Sequence, residues 1–330
     1  MEQLTGLGKT ILATDPDKIR LDQAVKNILA YKPLLARVFK EVVSECRDMD
    51  YDEIEACIEG EVLISSVYVD GGLSNAGERI DGLSTEAYLN EEGLDKYDLR
   101  TYLRLPGKKA PERVKLLINV EAQNEDKPGY DISLRALFYC CRMISAQQGV
   151  EFSTDADDPV KYGNIKKVYS IWICTETAQK GRIPANSIER YAINRQMLAG
   201  SNTDKPRYDI LNAIIINISG RHDTGKTKNG LIHMLTDLFD ERIDGAQKVV
   251  KLKEYGLKLT KEVENEVSDM CTYSATIENK GIEKGIEKGL KALVQSLREY
   301  IKDFDSLYKA VTKNEDYKNV SREEVMKYYR

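Results

Sequence analysis

The sequence predicts an α/β chain: a mixed sheet with flanking helices, followed by a helical C-terminal region. Three observations predict it. Tyr97 to Leu105 and Val114 to Gln123 alternate with the period of a strand, Val168 to Cys174 is a dense β-branched and aromatic run, and the chain after Gly230 turns to helical periodicity.

Residues 19 to 46 read as two helices. Pro33 suits the first turn of the second, and Leu35, Val38, Phe39, Val42, Val43 and Cys46 recur at helical spacing. A short helix over Tyr51 to Ile58 and a strand over Val62 to Val69 follow. The polar stretch Asp70 to Asp95 reads as a long loop. On the next strand Asp98, Arg100, Tyr102 and Arg104 share one face, and Leu105 to Pro111 has hairpin-loop chemistry. On the strand after it, Leu117, Asn119, Glu121 and Gln123 share one face, with Leu116, Ile118, Val120 and Ala122 on the other. Asp131 is an N-cap for a helix to about Gln148. Arg190 to Asn194 and Leu211 to Ser219 are further strands. Three regions result: 1–222 as the α/β domain, 223–275 as a helical subdomain, and 276–330 as a Gly-Ile-Glu-Lys repeat helix with a terminal helical hairpin.

Composition narrows the chemistry. The 330 residues are 31% charged with a mean hydropathy of −0.46, and no apolar run reaches membrane-spanning length. Asp15 and Asp17 argue against a secretory leader, so the expectation is a cytoplasmic protein. Six cysteines without a Cys-x-x-Cys pair read as free thiols rather than a zinc site or disulfide framework. With only His222 and His233 available, hydrolytic chemistry must rest on carboxylates. The net charge of −5 weighs mildly against a dedicated non-specific DNA binder, although Arg100, Arg104, Lys108, Lys109, Arg113 and Lys115 could form a local basic face.

Asp98 and Glu121 are the carboxylates that hairpin pairing brings together. Adjacent strands lie about 4.8 Å apart, so two acids there repel unless a cation sits between them. Mg²⁺ accepts one or two carboxylates with water and substrate phosphate, and activates that water. Gln123 cannot act as a base, but its amide can position water or a phosphate oxygen. Arg135, Tyr139 and Arg142 recur on one face of the following helix and suit a phosphate-bearing ligand. By spacing alone, solvent-facing polar pairs on an edge hairpin and an ordinary helix face explain these residues as well.

The ordered set Tyr97-Asp98-Leu99-Arg100, Ile118 to Gln123, Tyr130-Asp131-Ile132, Arg135 to Tyr139, Arg142 to Ser145 and Val168 to Cys174 resembles the PD-(D/E)XK nuclease family transposases, the Rpn-type recombination-promoting nucleases. The resemblance spans roughly residues 20 to 290, including Met270-Cys271 and the repeats after it. It implies a restriction-endonuclease-like core and Mg²⁺-dependent hydrolysis of DNA phosphodiesters, with Mn²⁺ able to substitute. Asp98 and Glu121 would be the metal carboxylates. Gln123 stands where the wider superfamily carries Lys, and Arg135 or Arg142 could supply the missing charge. An acid from the first helices often completes such a site; Asp22 and Glu41 are both candidates. A protein that kept the fold and binds DNA or another partner without efficient cleavage is the alternative.

Two other signals compete. Gly220 to Thr227 fits the phosphate-loop pattern G-x-x-x-x-G-K-[ST], with Gly225, Lys226 and Thr227 as its nucleotide-binding residues. Against it, no strand follows to supply an acid for Mg²⁺. Gly281, Gly285 and Gly289 repeat every four residues beside Ile282, Ile286 and Leu290. Helix pairing into a homodimer and a flexible spacer are equal readings of that repeat.

Overall fold

The computed structural model describes residues 16–68, 96–106, 113–123, 131–148, 151, 162–175, 186–201, 209–218 and 227–329, with backbone alone at 60–68, 96–97, 113–115, 119 and 123. The long polar stretch after Tyr68, the hairpin loop at 107–112, and Gly225 and Lys226 therefore fall outside the described residues.

Helix α1 (Pro16–Leu29) buries Ala24, Val25, Ile28 and Leu29. Helix α2 (Lys32–Val42) starts with proline in its first turn, where a missing N–H costs nothing, and buries Leu34, Leu35, Val38, Phe39 and Val42. Helix α3 (Tyr51–Cys57) is opened by a reciprocal capping box between Asp50 and Glu53. Strands β1 (Ile58–Tyr68), β2 (Lys96–Pro106) and β3 (Arg113–Gln123) form an antiparallel meander. Helix α4 (Ile132–Ser145) begins at Asp131, whose carboxylate accepts from the N–H groups of Ser133 and Leu134. It leads to β4 (Val168–Cys174), and β5 (Ser187–Ala192) and β6 (Leu211–Asn217) complete the sheet.

The six strands lie in the order β1-β2-β3-β4-β6-β5. β3, β4 and β6 are mutually parallel, and β5 closes the edge antiparallel to β6. Every residue of β4 and β6 is buried, as expected of parallel strands covered on both faces. On one face, α4 packs on β4 and β6 through Ala136, Tyr139, Cys140 and Met143 against Trp172, Leu117, Ala213 and Ile215.

The chain continues as α5 (Gly230–Phe239), α6 (Gly245–Glu254), the 40-residue α7 (Lys261–Tyr300), α8 (Phe304–Val311) and α9 (Arg322–Tyr329). Two compact units result, Asp22–Met270 and Met1–Leu21 with Cys271–Arg330. The first takes in α5 and α6, which the sequence reading set apart as a subdomain. The reason is apolar burial: Leu231, Ile232, Met234, Leu235 and Leu238 of α5 are all buried, and α5 packs on α2. The second unit has its own core of Leu290, Val294, Leu307, Val311 and Val325. Among the described residues, no helix is long and apolar enough to cross a membrane.

Candidate carboxylate site

The site is built where the β2–β3 ladder ends. Leu99 pairs with Val120, which brings Asp98 alongside Glu121 and Ala122. Here side chains take over from backbone pairing. The N–H of Asp98 donates to Glu121 Oε1 at 3.1 Å, and the N–H of Ala122 donates to Asp98 Oδ2 at 3.0 Å. Each acid thus satisfies a backbone donor on the opposite strand, which fixes both carboxylates in a partly buried position. Glu121 is only 5% exposed.

The remaining Asp98 oxygen meets a cation from α1. Lys26 Nζ lies 2.9 Å from Asp98 Oδ1 and 2.7 Å from Asp22 Oδ2, so one ammonium bridges two carboxylates. Burial pushes the Asp98 carboxyl up from its ordinary range, with Lys26 and the Ala122 N–H opposing. Burial also works against the Lys26 charge, but attraction to Asp98 and hydrogen bonds to Asp22 and Asp98 outweigh it and leave the ammonium more firmly protonated.

This geometry separates the two helix acids that the sequence left open. Asp22 is joined to Asp98 through Lys26, whereas Glu41 accepts from Asn229 Nδ2 at 2.7 Å, at the N-cap of α5. Gln123 ends β3 opposite Cys174 of β4, and its side chain lies outside the described ones. Lys26 is the residue that sequence reasoning missed. The available signal was its place among the apolar positions Val25, Ile28 and Leu29, where an unpaired lysine would be costly.

Arg135, Tyr139 and Arg142 are arranged differently from an exposed phosphate clamp. Tyr139 is fully buried, its ring 5.4 Å from that of Trp172, because its face of α4 packs on the sheet. Its hydroxyl accepts from Arg135 Nη2 at 2.7 Å and from Nε at 3.2 Å, and the Arg135 guanidinium also lies over the Trp172 ring. Arg142 stacks on Phe138, 4.8 Å from the ring centroid. Arg135 and Tyr139 are thus anchored on the core, whereas Arg142 lies over the exposed Phe138 ring.

For the phosphate-loop motif, Thr227 is the residue described. Its carbonyl contacts His233 Nε2 at 2.6 Å, and every element after it among the described residues is helical. Among the described residues, the last strand before the motif, β6, is followed by no further strand that could carry a metal-binding acid.

A divalent cation fits the carboxylate site in donor chemistry. All the donors are hard oxygens, suited to Mg²⁺ or Mn²⁺ rather than a soft metal. A cation, the Lys26 ammonium, already lies between two of the carboxylates. Among the described residues, no three His, Cys, Asp or Glu side chains come together as a ligand cluster. Asp98 and Glu121 would be the two carboxylates offered to such an ion, with water and substrate phosphate completing its shell. No family model, curated protein or solved structure matches the chain.

Proposed function

We propose that the chain is a metal-dependent DNA endonuclease with a restriction-endonuclease-like core, acting in transposition or recombination. The observation that carries the reading is the anchoring of the Asp98 and Glu121 carboxylates, each on a backbone N–H of the opposite strand, at one end of β2 and β3. Two carboxylates held together in a largely buried place cost free energy that a bound cation recovers. Their location supports it further. Glu121 lies near the carboxyl end of β3, where β3, β4 and β6 run parallel beside the antiparallel β2. Ligands of open α/β sheets gather at the carboxyl ends of the strands, where the chain order changes direction.

In this reading Asp98 and Glu121 hold Mg²⁺. The bound ion would supply an activated water and neutralise charge on the scissile phosphate. Gln123 follows Glu121 on the same strand and is assigned the orientation of water or phosphate. Lys26 is a cation already beside Asp98, a position from which it can offset the lack of a lysine at 123. Arg135 is held by Tyr139 and Trp172 and is better explained as a support for α4 than as the compensating charge.

A second reading has its own support. The Lys26–Asp98 ion pair satisfies the carboxylate without metal, as a DNA-binding or interaction protein that kept the fold and lost cleavage would require. Metal-dependent nicking of supercoiled plasmid separates the two. Cleavage that needs both carboxylates supports the nuclease; DNA binding without cleavage at any metal concentration supports the second reading.

A further inference from the structure

Lys26 is 8% exposed on α1, and its ammonium bridges Asp22 and Asp98. The two oxygens of Asp98 are held unequally. Oδ2 takes a backbone N–H from Ala122, which cannot leave without breaking the strand end. Oδ1 takes the Lys26 ammonium, which is carried on a flexible four-carbon stem. The second anchor of Lys26, Asp22, has a side chain 57% exposed and lies one helical turn before it, so it can follow the lysine. We infer that Lys26 is a built-in counter-ion: it pairs with Asp98 Oδ1 and cedes that oxygen when a divalent cation binds, while Asp22 keeps it beside the site.

Lysine and metal compete for one oxygen. An ammonium and a divalent ion cannot share Oδ1 at contact distance without strong like-charge repulsion. One of them must hold the carboxylate, because a partly buried anion left unpaired is costly. The ceded lysine, still tied to Asp22, then places a positive charge next to the metal. This is a role for the pair Asp22 and Lys26 that neither residue type suggests alone. The inference rests on the assignment of Asp98 and Glu121 as metal ligands.

The experiment is Mn²⁺ titration of the full chain by electron paramagnetic resonance, with thermal unfolding measured in parallel. Lys26→Met should bind Mn²⁺ at least about fivefold tighter than the parent, the lower end of ordinary coupling between two sites. Mn²⁺ should raise its melting temperature more than it raises the parent's. Lys26→Arg keeps the charge and should keep the parent affinity. Lys26→Gln, which retains a hydrogen-bond donor, replaces the Met variant if that one fails to fold, with the same expectation. Unchanged or weaker Mn²⁺ binding on neutralising Lys26, or equal tightening in the Arg variant, overturns the inference while leaving the metal site standing. If the parent binds no Mn²⁺ that depends on Asp98, the metal site itself falls, and the inference with it.

Discussion

The backbone N–H of Asp98 donates to Glu121 Oε1 at 3.1 Å, so the two acidic residues of the candidate site are tied directly to one another. Each carboxylate replaces a rung of the β2–β3 ladder, and the strands cannot part there without exposing buried donors. Site and scaffold are therefore the same structure, and substitutions at the acids report on both.

Asp98→Ala removes the acceptor of the Ala122 N–H and one of the two carboxylates around Lys26. Asp22 remains to pair the lysine, so the loss is that of charged hydrogen bonds rather than of a fully orphaned charge. The expected cost is about 1–3 kcal/mol in a urea unfolding curve. Asp98→Asn retains an acceptor for the Ala122 N–H and should cost less.

Tyr139→Phe tests whether the phenol serves the core. It removes the hydroxyl that receives Arg135 while keeping the ring packed on Trp172. A loss of about 1 kcal/mol is expected, with unaltered DNA affinity. Unchanged stability together with weakened DNA binding would return Tyr139 to the ligand side.

The thiols divide by burial. Cys46, Cys140 and Cys174 are buried and pushed up to about 12 by desolvation, whereas Cys141 is exposed. Alkylation of the native protein at pH 8 should label Cys141 first and spare these three until unfolding, because the thiolate is the nucleophile. The same shifts set an alkaline limit. A folded pKa raised above the unfolded value of about 8.5 gives stability that is complete below that pH and lost as pH climbs toward 12. Tyr255, raised to about 12 by desolvation and by its hydrogen bond to Asp237, adds to the loss above its ordinary value of about 10. Cys140→Ala and Tyr255→Phe should each flatten the fall of stability with pH in this range.

The glycine repeat in α7 separates into two kinds of position. A Cβ at Gly281 or Gly285 meets no atom within 4 Å, whereas at Gly289 it would collide with the Tyr317 hydroxyl. Gly285→Ala should stabilise the C-terminal unit by up to about 1 kcal/mol through helix propensity alone. Gly289→Ala should gain less or lose, because Tyr317 must swing aside. Calorimetric unfolding of the two variants distinguishes them.

Much of this architecture was legible in the residues. The alternation through Leu116, Ile118 and Val120 marked β3, the run Val168 to Cys174 marked a strand buried on both faces, and Asp131 marked the start of α4. Asp98 and Glu121 were legible as neighbours because hairpin pairing is local. Lys26 was not: an Asp22–Lys26 spacing of four reads as an ordinary surface pair on a helix, and its approach to Asp98 depends on how α1 settles on the sheet. The burial of Tyr139 was not legible for a related reason. Helical spacing tells which residues share a face, but the apolar neighbours Ala136, Cys140 and Met143 decide that this face is the buried one.

The decisive experiment is cleavage of supercoiled plasmid with Mg²⁺ or Mn²⁺, comparing the parent chain with Asp98→Asn and Glu121→Gln after each variant has been shown to fold. Nicking or linearisation that requires the metal is expected in the parent, and in both variants its loss by two orders of magnitude or more, corresponding to about 3 kcal/mol of transition-state stabilisation. Cleavage that persists in either folded variant, or a parent chain that binds DNA and never cuts it, would contradict it.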